Sequence, residues 1–220
     1  MVPPDVLKEL AWPAPGGHAM LLYDTKERKE EVLFGQLKLA GKYDVGVYVC
    51  SEESPSEAEG SMKRFGIDVE ERKKNETLVI KNYDQVFIVN EKVDSSSIVK
   101  GFSHLAYQYS SIGYGVRAAS EMSCFFRTRK VNELVTYEKD LHRKLSFPAS
   151  GICAYNLFDM YNSHSIDALW PIIRAHGTVI MTGPGGRLVL LPEEVRAEDV
   201  EKTMATPGSI KESRIEATVR

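Results

Sequence analysis

The sequence predicts an α/β fold, a three-layer sandwich around a mostly parallel central sheet with an antiparallel hairpin near its C-terminal end. Short apolar runs alternate along the chain with segments of helical periodicity, the pattern of successive strand–helix–strand units. The run Val45–Cys50 is continuously apolar, as expected of a strand covered on both faces. Gly183-Pro184-Gly185-Gly186 separates two further apolar runs by a tight turn, which supplies the hairpin.

Taken in order, Met20–Tyr23 is the first strand. Asp24 can cap the helix that follows, with Glu27 three residues on completing a capping box. Val32, Leu33, Leu37 and Ala40 line one face of that helix, and Gly41 ends it. After Val45–Cys50, Ser54-Pro55-Ser56-Glu57 is a capping box with proline at the first helical position, and Gly66 is the stop. Leu78–Ile80 is a strand. Ile98, Phe102, Leu105, Tyr109 and Ile112 recur at spacings of three and four, which predicts a long amphipathic helix. Val116–Cys124 reads as a strand, Val131–Leu145 as a helix and Gly151–Tyr155 as a strand. Ile166–Ala175 reads as a short helix containing Pro171, and Thr178–Thr182 and Arg187–Leu191 as the hairpin strands. Residues 1–17 form an irregular, proline-rich lead-in. Residues 18–194 form one domain, and residues 195–220 a charged tail of weak helical character.

Composition narrows the function. The chain has 220 residues, 43% hydrophobic and 27% charged, which excludes wholesale disorder and leaves enough apolar surface for a core. With 28 basic against 31 acidic residues the net charge is −3, so direct nucleic-acid binding is not expected. No apolar run is long enough to span a membrane, and Met1–Leu10 has neither a basic n-region nor an apolar core, so a cytoplasmic location is expected. Cys50, Cys124 and Cys153 are widely spaced and flanked by apolar or aromatic residues, as buried reduced thiols are. There is no CxxC pair, no HExxH and no GxSxG elbow, and the His, Glu and Cys residues are too scattered along the chain to spell a metal site.

In a parallel sheet ligands bind beyond the carboxyl ends of the strands. The first strand–helix turn, Tyr23-Asp24-Thr25-Lys26-Glu27-Arg28, contains no glycine, so its backbone offers no phosphate cradle, and Asp24 and Glu27 place negative charge where a phosphate would sit. Glu121, at a strand's carboxyl end, occupies a position that α/β enzymes give to a metal-organising acid. Glu138 falls in the middle of the apolar face formed by Val131, Leu134, Val135, Leu141 and Leu145, with His142 one turn on. A buried carboxylate needs a hydrogen-bond partner, so Glu138 and His142 form either a structural pair or one wall of a ligand site. His18 and His176 each precede a strand. Phe102, Tyr107, Tyr109 and Tyr114 form an aromatic stripe that either packs in the core or lines an apolar pocket.

The succession Gly17-His18, Leu21-Leu22-Tyr23, Tyr48-Val49, Glu52-Glu53, Ser120-Glu121-Met122, Leu134-Val135-Thr136-Tyr137-Glu138, Cys153-Ala154-Tyr155 and Ala175-His176-Gly177 resembles the MEDS domain, the methanogen/methylotroph DcmR-type sensory domain. The resemblance runs from about His18 to Glu194. It implies a RecA/KaiC-like layout that has lost the phosphate loop, with Glu121 on the strand that carries the Walker B acid in true ATPases. It also implies that small molecules, hydrocarbon derivatives among them, are sensed and the signal passed to another module, and that His18, Tyr23, Glu121, Tyr137, Glu138, Tyr155 and His176 are the recurring site residues. Two departures stand out: Gly177 replaces the usual proline, and Gly186–Leu191 replaces an Asn-Pro-aromatic segment.

The resulting expectation is a non-catalytic sensory domain without metal or cofactor. Its small ligand would lie at the carboxyl edge of the sheet, anchored by Glu121, Glu138 and His18 and walled by Tyr23 and Tyr155. Output would pass through a separate regulatory protein or a homo-oligomer. Two alternatives are a nucleotide-binding regulator or slow NTPase, with Lys26 and Arg28 replacing the loop lysine, and an interaction subunit of a RecA-like assembly.

Overall fold

A computed structural model describes residues 15–39 and 44–204. Seven strands form one sheet: β1 (His18–Tyr23), β2 (Asp44–Cys50), β3 (Leu78–Asn82), β4 (Gly115–Glu121), β5 (Ala149–Asn156), β6 (Thr178–Gly183) and β7 (Gly186–Leu190). Their spatial order is β3-β2-β4-β5-β1-β6-β7, and all neighbours pair in parallel except the β6–β7 hairpin. The α/β sandwich and the terminal hairpin are therefore as the sequence predicts.

The helices are α1 (Lys26–Leu39), α2 (Pro55–Arg64), α3 (Val69–Lys74), α4 (Ser95–Ser110), α5 (Ser123–Arg127), α6 (Val131–Leu141), α7 (Leu157–Asn162), α8 (Leu169–Ala175) and α9 (Ala197–Met204). Strand alternation sorts the sheet into two faces. Ala19, Leu21 and Tyr23 of β1, Tyr48 of β2 and Ala154 of β5 pack with Val32, Leu33, Phe34 and Leu37 of α1 and with Ala58 and Met62 of α2. On the other face Met20 and Leu22, Val47 and Val49, and Cys153 and Tyr155 pack under α4 to α9. Each strand of the centre is thus buried on both sides, which accounts for its unbroken apolar run.

Local details follow from the termini. Ser54 and Glu57 make both halves of the capping box at α2, and Gly66 takes the left-handed conformation (φ 87°) just past the helix end. At α1 the expected Asp24 cap is not formed. Thr25 accepts from the Arg28 amide through its hydroxyl, and Asp24 instead pairs with the Arg28 guanidinium. Ala40 and Gly41, expected at the end of α1, lie outside the described residues, as do residues 1–14 of the lead-in and 205–220 of the tail. Ser123 and Cys124 belong to α5, so β4 stops at Glu121. Pro171 sits in the first turn of α8, where its missing N–H costs nothing. Helix α6 ends at Leu141, one turn before the expected Leu145. His142 takes φ 59°, and the chain turns so that the Leu145 amide reaches the Gly16 carbonyl at 2.7 Å. Ile112 lies beyond α4 and is exposed.

Gly177 begins the approach to β6, and its amide donates to the His18 carbonyl at 2.8 Å. A Cβ here would lie 2.7 Å from the Arg143 carbonyl oxygen, a backbone atom that cannot step aside. Gly177→Ala is therefore expected to destabilise the fold by about 1–3 kcal/mol, read as a lower urea midpoint at unchanged slope. A midpoint equal to that of the parent would contradict the close approach.

Candidate functional site

The seven candidate residues are all buried, at 2% exposure or less, and the sheet parity divides them between two networks on opposite faces. Tyr23 and Glu121 lie on the α1 face. His18, Tyr137, Glu138, Tyr155 and His176 lie on the α6 face.

On the α1 face the organising group is Glu121, at the carboxyl end of β4. Its Oε1 accepts from Lys29 Nζ and, at 2.5 Å, from the Tyr48 hydroxyl. Its Oε2 accepts from the backbone amides of Ser51 and Glu52 at 2.6 and 2.8 Å. Glu52, on the turn after β2, accepts from Lys29 Nζ at 2.8 Å, from Ser123 Oγ at 2.7 Å and from the Tyr23 hydroxyl. Lys29 projects from the second turn's start in α1 and has no exposure to water. The position answering to a metal-organising acid is thus filled by an ammonium of the chain itself. The cations next to it are also engaged: Lys26 pairs with Glu53 at 2.7 Å and Arg28 with Asp24. One lysine against two carboxylates leaves this pocket net negative, which opposes a phosphate.

Sequence reasoning missed Lys29 and Tyr48 as site residues. Lys29 stands three and four residues before Val32 and Leu33, on the apolar face of α1. That placement of a lysine was the available signal.

On the α6 face Glu138 faces two histidines. The expected Glu138–His142 ring pair is absent: the His142 ring is exposed, and only its carbonyl takes part, accepting from His18 Nδ1 at 2.9 Å. Glu138 Oε1 accepts from the Tyr155 hydroxyl, while Oε2 lies 3.3 Å from both His18 Nε2 and His176 Nε2. His176 Nδ1 donates to the Ile172 carbonyl at 2.7 Å. The His18 and His176 rings are tilted at 35° with centroids 4.0 Å apart, and Cys153 Sγ is 3.4 Å from His18 Nε2. Burial lowers the His18 pKa to about 4 and holds that of His176 well below its usual value, while burial raises the Glu138 carboxyl to about 7. Burial, with the Glu138 charge adding to it, also raises the Cys153 thiol.

His18 opens β1, so it lies at the amino end of that strand and not beside Glu121 at the carboxyl edge. The sequence offered no metal-ligand spacing, yet the fold brings one ligand atom from each of His18, Glu138, Cys153 and His176 within 4.8 Å of one another. Tyr137 does not join this set through its hydroxyl. Its ring packs edge-on to Phe87 at 5.7 Å and stacks over Phe125 at 6.5 Å. The three cysteines are free and buried, as expected, with burial pushing the Cys50 and Cys124 thiols up to about 12.

A third feature is a cleft of about 510 Å³ between β2, the edge strand β3 and helix α4, walled by Val47, Val49, Val79, Phe87, Ile98 and Phe102. None of the seven candidate residues lines it. Phe87 and Ile88 carried no functional weight in the sequence, because the loop between β3 and α4 shows no periodicity.

Removing Lys29 would strand two buried carboxylates, so Lys29→Met is expected to cost about 3–5 kcal/mol. Burial opposes ionisation of Glu52, but the Lys29 ammonium and three hydrogen bonds outweigh it and hold its carboxyl below the usual 4.5. Its contribution is therefore full above pH 4.5 and is lost as pH falls through the lower folded value. Burial likewise opposes the charge on Lys29, yet Glu121 and Glu52 raise its pKa above 10.5. That contribution is full below pH 10.5 and is lost as pH rises through the folded value. In Lys29→Met the acid dependence reverses, since protonating the stranded carboxylates then favours the fold. Urea midpoints measured from about pH 3 to about pH 12 check both limbs.

Comparison with known proteins places this geometry. The profile of the methanogen/methylotroph DcmR sensory domain, MEDS, matches residues 17–171. No curated protein matches the chain. Among solved structures, a KaiC-like protein from the hyperthermophilic archaeon Pyrococcus horikoshii OT3 superposes with a TM-score of 0.52 at 18% identity, covering 81% of this chain and 79% of that one. An uncharacterized Pyrococcus horikoshii protein, solved in complex with an unknown peptide, gives 0.54 at 12% identity, covering 85% and 88%. These likenesses establish a KaiC-like fold, and with the profile matched over more than half of its length the chain belongs to the MEDS family of sensory domains.

Proposed function

We propose that the chain is a ligand-receiving sensory domain whose small, largely apolar ligand enters the cleft between β2–β3 and α4. The observation that carries this reading is the cleft itself. Val47 and Val49 of β2 and Val79 of the edge strand β3 face open volume under α4. A volume of about 510 Å³ is within the range of small-molecule sites. Its rim carries Lys81, Gln85, Lys92, Asp94 and Ser97, which suits a hydrocarbon bearing one polar group. Family membership supports a sensory role, and hydrocarbon derivatives fit an apolar wall with a polar rim.

The expected anchors Glu121, Glu138 and His18 serve differently in this reading. They are committed to internal networks, and those networks fix the sheet against which the cleft is shaped. Signalling would follow from population shift: a ligand that binds better when α4 is closed over it favours that arrangement, and a separate partner or a second copy reads the change. The nucleotide alternative gains no support, because Lys26, Arg28 and Lys29 are all paired with carboxylates.

Gly101 gives a direct test. It lines the cleft from α4, and a Cβ placed on it meets nothing within 4 Å. Gly101→Leu should fill the cleft and improve helix propensity by about 0.5–1 kcal/mol. The parent protein is expected to gain thermal stability with short-chain alcohols or haloalkanes, and Gly101→Leu to lose that gain while melting no lower than the parent. An undiminished ligand shift in Gly101→Leu would place the ligand elsewhere.

A further inference from the structure

We propose that His18, Glu138, Cys153 and His176 form a metal site for a divalent cation of zinc type, independent of the apolar cleft. A backbone carbonyl can only accept, so the contacts of His18 Nδ1 with the His142 carbonyl (2.9 Å) and of His176 Nδ1 with the Ile172 carbonyl (2.7 Å) place the ring proton on Nδ1 in both. In the neutral imidazole Nε2 is then a bare lone pair. Both Nε2 atoms lie 3.3 Å from Glu138 Oε2. The Cys153 thiol lies 3.4 Å from His18 Nε2, whereas Glu138 Oε2 and His176 Nε2 make no hydrogen bond although both are fully buried. Unpartnered buried acceptors are costly unless a cation or a proton lies between them.

The spacing fits a metal ion there. A tetrahedral ion with bonds of about 2.0–2.1 Å to nitrogen and oxygen separates its ligand atoms by about 3.3 Å, and by slightly more where one is sulfur. The two histidine–carboxylate distances are 3.3 Å and the histidine–sulfur distance is 3.4 Å, with all four atoms within 4.8 Å of one another. Two imidazoles, a thiolate and a carboxylate are the donor types of zinc sites. The charges close as well: one thiolate and one carboxylate neutralise a divalent cation, so the filled site buries no net charge.

The outer groups are those of a built site. Each histidine is oriented through Nδ1 by a carbonyl, and the Tyr155 hydroxyl holds Glu138 Oε1, which turns Oε2 inward. Burial keeps both imidazoles neutral, the form that ligates. Binding releases the Cys153 thiol proton, and the carboxyl proton of Glu138 where it is present, to solvent. In the metal-free chain those two protons hold the place of the cation.

The test uses the full chain, purified without chelator and assayed for metal, then stripped and titrated with Co²⁺. The expected result is close to one equivalent of bound metal per chain. Cobalt should give d–d bands of tetrahedral intensity together with a near-ultraviolet thiolate charge-transfer band. Cys153→Ser should abolish the charge-transfer band, whereas Cys50→Ser and Cys124→Ser should keep it. His18→Gln and His176→Gln should each weaken metal binding by more than about tenfold. A folded parent chain that carries no metal and gives no cobalt bands overturns the proposal, whatever the variants do. So does a charge-transfer band that survives in Cys153→Ser.

Discussion

A carboxylate with no access to water at the end of a central strand has to be met by the protein from every side, and Glu121 imposes that condition on this fold. Its two oxygens draw Lys29 inward from α1, Tyr48 across from β2, and the backbone amides of Ser51 and Glu52 from the turn after β2. Glu52 then extends the network to Tyr23 and Ser123. Four separate segments are pinned to one another by this carboxylate. The pocket at the carboxyl ends of β1, β2 and β4 is thereby filled from within by paired side chains of the chain itself.

That closure shapes how the rest of the molecule can work. Strand alternation sends Tyr23, Tyr48 and Glu121 to one face of the sheet and His18, Cys153 and Tyr155 to the other. One face holds a satisfied ionic network. The other holds the histidine–cysteine–glutamate cluster and, nearer the edge strands, the apolar cleft beneath α4. Polar order thus lies at the centre of the sheet and open apolar volume toward its β3 edge.

Much of this was legible in the sequence, for identifiable reasons. The alternation of runs and the capping box at Ser54 gave the layers and the start of α2, because local chemistry decides both. The absence of glycine between Tyr23 and Arg28 excluded a phosphate cradle. Glu138 stood out because an acid in the middle of an apolar helix face needs a partner. Its true partners could not be read, since His18, Cys153 and His176 lie on three strands or strand ends far apart in the chain and meet only through sheet pairing. The i, i+4 neighbour His142 was the one partner visible to local reasoning, and α6 ends before its ring can turn inward. Lys29 went unnoticed because a lysine is ordinarily read as solvated, although its spacing to Val32 and Leu33 places it on the buried face. The cleft was invisible because a void is a property of packing, not of pattern.

On the α1 face Lys29, Glu52 and Glu121 fill the pocket and satisfy one another by hydrogen bonds. Calorimetric titration of the full chain with MgATP at millimolar concentration addresses that most directly. The expected result is no saturable heat, with the parent protein's stability unchanged by the nucleotide. Saturable heat that Glu121→Gln abolishes would contradict the account, because it would mean that the internal ion network opens to admit a nucleotide and that the pocket on the α1 face is a working site.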